Sequence, residues 1–69
     1  MSRARRLLTE EDFQEALDHE RRTRVFQNDQ LVGTGGIITR FDDTTIVIQS
    51  GVSDIAYYSR NDCEFFELR

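Results

Sequence analysis

The chain reads as a small, mostly β domain, with an N-terminal helix followed by five short strands in a strongly bent barrel. Three observations lead there. Residues 31–49, LVGTGGIITRFDDTTIVIQ, place two β-branched runs on either side of a polar reversal, Asp42-Asp43-Thr44-Thr45. Gly33, Gly35 and Gly36 sit in or just before the first run. Glycine there marks a bend, a bulge or a close backbone approach, the devices small barrels need to close. A capped helical pattern precedes the strands, and polar turns separate each strand from the next.

The elements follow in order. Residues 1–7 read as a flexible basic arm, with Arg3, Arg5 and Arg6 suited to a nucleic-acid or acidic-partner contact, although a solvated, frayed terminus is the default. The domain proper is expected over residues 8–69. Its helix, about residues 10–22, is capped by Thr9 with Asp12 three residues on, and Leu8 and Phe13 are spaced for a hydrophobic staple. Glu10, Glu11 and Asp12 stand at the positive end of the helix dipole, and Arg21 and Arg22 at the negative end. Phe13, Ala16 and Leu17 make one narrow apolar stripe, from which His19 falls away.

Five strands should occupy about residues 23–69. The first is Thr23 to Gln27, and Asn28-Asp29-Gln30 turns it into the glycine-bearing second. Ile46-Val47-Ile48 form the third, and residues 50–54 a loop. Ile55-Ala56-Tyr57-Tyr58 begin the fourth, Arg60-Asn61-Asp62 turn it, and residues 63–68 form the fifth.

Length limits the core. A domain of 69 residues buries only roughly 60% of its unfolded-chain surface, so oligomerisation, metal or disulfides usually supplement it. One cysteine, Cys63, and one histidine, His19, make neither an internal disulfide nor a four-ligand zinc site. No metal or cofactor is expected. With no apolar run near the ~20 residues of a membrane span and no signal-peptide core, the chain reads as soluble and cytoplasmic, without a membrane partner. The net charge is −4. Residues 1–24 balance six arginines against six acids, so the excess lies in residues 25–69, where three arginines face seven acids. Every basic residue is arginine, whose planar fork suits carboxylate and phosphate.

The helix FQEALDHER (Phe13 to Arg21) resembles the F-x-x-A-L-x-x-E-R helix of Hfq, the bacterial RNA chaperone of the Sm-like family. Residues 36–58, GIITRFDDTTIVIQSGVSDIAYY, are similar to the Hfq core pattern G-x-I-x-x-F-D…I…V-S…Y. The resemblance spans about residues 8–66. It implies a five-stranded Sm-like (SH3-like) barrel that assembles into a homo-oligomeric ring, usually a hexamer, and binds RNA in post-transcriptional regulation. The family's pore segment Y-K-H-A stands here as Tyr57-Tyr58-Ser59-Arg60, without lysine or histidine. The glutamine-aromatic pair after F-D is Asp43-Thr44, and Asp18 and His19 replace rim arginines. The YolD-like small barrels that accompany translesion DNA polymerases match the strand pattern but not the helix motif.

Candidate residues follow. Arg21, Arg22, Arg40, Tyr58, Ser59 and Arg60 are the expected RNA contacts. Tyr57, Phe65 and Phe66 are expected at the subunit joint between the fourth and fifth strands. Phe13, Leu17, Gly36, Phe41 and Asp42 are structural, with Phe41 under the helix and Asp42 accepting backbone N–H groups in its turn. Gly33-x-Gly35-Gly36 has no G-K-[ST] after it and is no phosphate cradle. Asp42 and Asp43 have no nucleophile or metal beside them in sequence, so the chain is not expected to be an enzyme. Two functions remain: an RNA-binding Hfq-like ring with an atypical pore and rim, or an acidic protein-interaction module on the same barrel that has lost RNA binding.

Overall fold

A computed structural model describes residues 4–68. Six strands and one helix follow in the order β1 (Ala4–Leu7), α1 (Glu10–Asp18), β2 (Arg22–Gln27), β3 (Gln30–Phe41), β4 (Thr45–Gln49), β5 (Ile55–Ser59) and β6 (Glu64–Leu68). They make one antiparallel sheet with strand order β1-β6-β2-β3-β4-β5. The sheet is open, with β1 and β5 at its two ends.

The expected barrel is therefore not closed, and further expectations change with it. The sheet has six strands, not five, because Ala4–Leu7 of the expected arm pairs with β6 from Ala4↔Leu68 to Leu7↔Phe65. Arg5 and Leu7 point inward and make this possible. Leu7 is buried in the core, and Arg5 bonds Asp12 while lying 3.6 Å from the fully buried Glu67. Arg3, with the rest of residues 1–3, lies outside the described residues. The helix also stops at Asp18, short of residue 22. Glu20 adopts a left-handed conformation (φ 51°), and the Glu20 and Arg21 N–H groups donate to the Leu17 and Ala16 carbonyls. That is the Schellman ending, built on glutamate where glycine would normally announce it.

The helix start is as the spacing predicts. The Asp12 N–H donates to Thr9 Oγ1 (3.1 Å), and the Asp12 carboxylate accepts from the Thr9 and Leu8 N–H groups (3.1 and 3.0 Å). The staple does not form in the expected way, since Leu8 is 63% exposed while Phe13 is buried. Phe13 instead packs on Phe41 and Phe65, both with ring centroids 5.7 Å away.

The long strand β3 makes the bend. It runs twelve residues, pairing with β2 along its first part and with β4 along its second, from Ile37↔Gln49 to Phe41↔Ile46. Gly35 has φ 68° in the bulge between the Val25↔Gly33 and Thr23↔Gly36 pairs, just before the change of partner at Ile37, a conformation that side chains resist. A Cβ on Gly36 would lie 2.2 Å from Ile48 Cγ2, and one on Gly33 would lie 2.6 Å from the Tyr58 hydroxyl. The register also slips once between Ile38 and Arg40, which adds to the curl. Tyr58 of β5 thereby lies over the start of β3. Val25, Ile38, Ile46, Ile48 and Phe65 fill the interior with Phe13 and Ala16 of the helix. The β2–β3 hairpin turns on Asn28 and Asp29, both at positive φ (53° and 63°), as a two-residue type I′ loop requires.

Two substitutions test this architecture. Gly36→Ala is expected to lower stability by roughly 1–3 kcal/mol, the usual cost of overpacking a filled site, as read by urea unfolding. Asp29→Gly is expected to raise it by up to ~1 kcal/mol, because glycine adopts the turn conformation without a steric cost.

Candidate functional site

The expected RNA-contact residues do not gather on one surface. Arg60 has the most constrained position. Its guanidinium lies 4.7 Å from the centre of the Phe13 ring. Its Nη1 donates to Glu10 Oε1 (2.6 Å) and to the Asp42 carbonyl (2.9 Å). Its backbone N–H donates to the Thr44 carbonyl (2.8 Å). Only 14% of the side chain is exposed. Arg60 thus joins the β5–β6 turn to the 42–45 turn and to the first turn of the helix.

The 42–45 turn is itself organised by Asp42. Its Oδ1 accepts the Thr44 and Thr45 N–H groups (2.9 and 2.8 Å) and the Thr44 hydroxyl (3.2 Å). These bonds stabilise the charged form and hold the Asp42 carboxyl below the ordinary aspartate range, with Arg40 adding a smaller pull. Asp12 is lowered in the same way, first by the Leu8 and Thr9 N–H groups. Phe41, expected under the helix, is half-buried against Phe13.

The other candidates scatter. Tyr58 turns inward and meets Phe65 edge-on, with centroids 6.3 Å apart. The Ser59 carbonyl accepts from the Asp62 and Cys63 N–H groups. Arg21 is half-buried, with its Nε buried and without a hydrogen-bond partner. Arg40 is exposed on the outer face, where β3 pairs it with Val47, and Val47 is paired with Tyr57. Arg22 lines a cleft of about 560 Å³ with Leu17, Gly35, Thr39, Gln49 and Ser50 among its walls. Thr39, Gln49 and Ser50 were not singled out from sequence. They converge only because β3 bends, and no local pattern marks them.

The three expected interface residues divide similarly. Phe65 is a core residue at 1% exposure. Phe66 lies half-buried on the outer face, edge-on to Phe26 at 5.6 Å. Tyr57 alone is open, at 68% exposure. The expected joint also meets an obstacle, because β6 is paired with β2 on one side and β1 on the other. Among the described residues, the unpaired edges are those of β5 and β1.

The Cys63 thiol is pushed above its ordinary pKa by burial and by Asp62, which keeps it protonated and weakly nucleophilic at neutral pH. No helix among the described residues is long and apolar enough to cross a membrane. No family model, curated protein or solved structure matches the chain.

Arg60→Ala is expected to lower stability by roughly 1–3 kcal/mol, since it removes charge-assisted bonds and a cation–π contact together. Arg60→Lys should recover only part of this, because ammonium lacks the planar face. Thermal or urea unfolding of both variants checks the point. A second expectation concerns pH. The Asp12 and Asp42 carboxyls are depressed in the folded chain, so their contribution is complete above the unfolded value of about 3.9. It is lost as pH falls through the lower folded values. Unfolding midpoints should therefore decline below about pH 4, and Asp42→Asn should lower stability at neutral pH while making that decline shallower.

Proposed function

We propose that the chain is a non-enzymatic protein-interaction module whose binding element is the edge of β5. One observation carries this reading. Among the described residues the β5 edge is unpaired, and it displays Ile55 and Tyr57 at 52% and 68% exposure, beside Val52 at 99%. Natural edge strands are usually guarded by charge, proline or a bulge. The five residues Ile55-Ala56-Tyr57-Tyr58-Ser59 contain no charge and no proline, and they pair with β4 without a register break.

The interior contacts of Arg60 weigh in the same direction. A phosphate contact requires a cation free to reach it, and Arg60 is engaged by Glu10, Asp42 and Phe13. An Hfq-like ring joined through β6 would also require displacement of β1.

A second reading has one observation in its favour. In the cleft beside the β3 bend, Arg22 stands among Thr39, Gln49 and Ser50, which offer one cation and several hydrogen-bonding groups to a nucleotide, while Glu20 in the same wall opposes an anion.

Titration of the chain with labelled U-rich and A-rich RNA at low salt separates the two. The module reading expects no saturable association. Saturable binding that falls steeply with salt and is weakened by Arg22→Ala would replace it with RNA recognition at the cleft.

A further inference from the structure

We infer that β5 pairs antiparallel with β5 of a second copy of this chain, centred on Tyr57, to form a two-fold dimer with a sheet continuous through both subunits. This deepens the module reading and rests on it, by naming what the edge of β5 takes.

The two free edges are not equivalent. β1 is four residues long and carries Arg5 and Arg6, which are tied to Asp12, Glu15, Glu64 and Glu67. Pairing at that edge would bring another chain against charged side chains. β5 is longer and uncharged, and its outward side chains are Ile55, Tyr57 and Ser59. Self-pairing also satisfies the demand of a small core for additional buried surface.

The register follows from the sequence of the edge. Antiparallel pairing about Tyr57 sets Tyr57 opposite the partner's Tyr57, and Ile55 opposite the partner's Ser59. Ala56 stands opposite the partner's Tyr58. One step further, Asp54 stands opposite the partner's Arg60, and the same pair recurs across the two-fold axis. Within one subunit the Asp54 side chain is exposed and, among the described residues, in no ion pair. The guanidinium itself stays against Phe13, so the pair acts as opposite charges facing one another across the axis and not as a direct bond. The segment is thus complementary to itself in charge as well as in hydrogen bonding.

The outer face gives the same register a packing reason. Tyr57 lies directly across from Val47 within one subunit. The dimer extends that row to Val47, Tyr57, the partner's Tyr57 and the partner's Val47. Aromatic and β-branched side chains facing one another across strands are a favoured pairing. Such a contact is isologous and closes on itself, so it stops at two copies.

Sedimentation velocity of the full chain over a concentration series tests the stoichiometry, with a dimer expected at twice the 8.1 kDa of one chain. Tyr57→Lys sets two ammonium groups opposite each other and is expected to weaken association at least about a hundredfold, since like charges across an interface cost several kcal/mol. Residue 57 is exposed, so the circular dichroism of the monomeric variant should match that of the parent, and its unfolding midpoint should match the parent's at concentrations low enough to dissociate the dimer.

Register is read separately, in a Cys63→Ser background. Directly opposite residues of an antiparallel pair have Cα atoms about 4.5–5.5 Å apart, within the range a disulfide spans. Tyr57→Cys should cross-link to itself under glutathione disulfide. Ile55→Cys should cross-link with Ser59→Cys but not with itself. A chain that stays monomeric at high micromolar concentration overturns the proposal. So does a dimer in which Tyr57→Cys fails to cross-link, or a series of larger species from joining β5 to β1. None of these results bears on RNA, so the titration judges the module reading independently.

Discussion

The bend in β3 is the constraint from which the rest of the structure follows. A straight twelve-residue strand would hold β2 and β4 in one plane and leave both faces wet. Gly35 turns the chain through a conformation closed to most side chains, and Gly36 lets Ile48 approach its backbone. The second half of β3 then carries Ile38 over the interior, and β4 follows with Ile46 and Ile48. Gly33 admits the Tyr58 ring from the far side of the sheet. Close approach at glycine takes the place of the hydrogen-bonded seam that a closed barrel would have there.

This curvature determines where the helix can rest. Only Phe13 and Ala16 of α1 are fully buried, so docking depends on one ring. Phe13 meets Phe65 from β6 and Phe41 from the end of β3, which the bend brings to the same place. Arg60 then covers the ring from outside. At a pore, its charge would be available to solvent and ligand. Here it closes the apolar cluster and links three segments distant in sequence.

Much of this was legible in the sequence, and the exceptions have physical causes. Thr9 and Asp12, Asn28 and Asp29, and the Asp42 turn were readable because each depends on side chain-to-backbone bonds within four residues or on turn conformation. The glycines announced the bend for the same local reason. The helix end was missed because Glu20 takes a conformation that its residue type does not advertise. β1 was missed because nothing within Ala4–Leu7 favours a strand. Its pairing is decided sixty residues away, and the one signal was Glu67, a carboxylate at an inward position of β6 that calls for a cation such as Arg5. The site was less legible than the fold. Arg60 has its partner Glu10 fifty residues upstream, and no spacing rule could distinguish a covering arginine from a projecting one.

The same long-range contacts bear on how well the β5 edge is prepared to pair. Strand addition orders both participants, and the entropy of that ordering opposes binding. β5 is already held at both ends. Before it, the Ser50 N–H donates to the Asp54 carbonyl, and Gln49 Nε2 donates to the Gly51 and Val52 carbonyls. After it, the backbone N–H and guanidinium of Arg60 fasten the next residue to the 42–45 turn. Between those anchors, pairing with β4 runs unbroken from Gln49↔Ile55 to Thr45↔Ser59. The edge therefore meets a partner as a strand already formed, and little further ordering is required of it. Arg60 contributes to binding in this way without touching a ligand, by fixing the strand beside it.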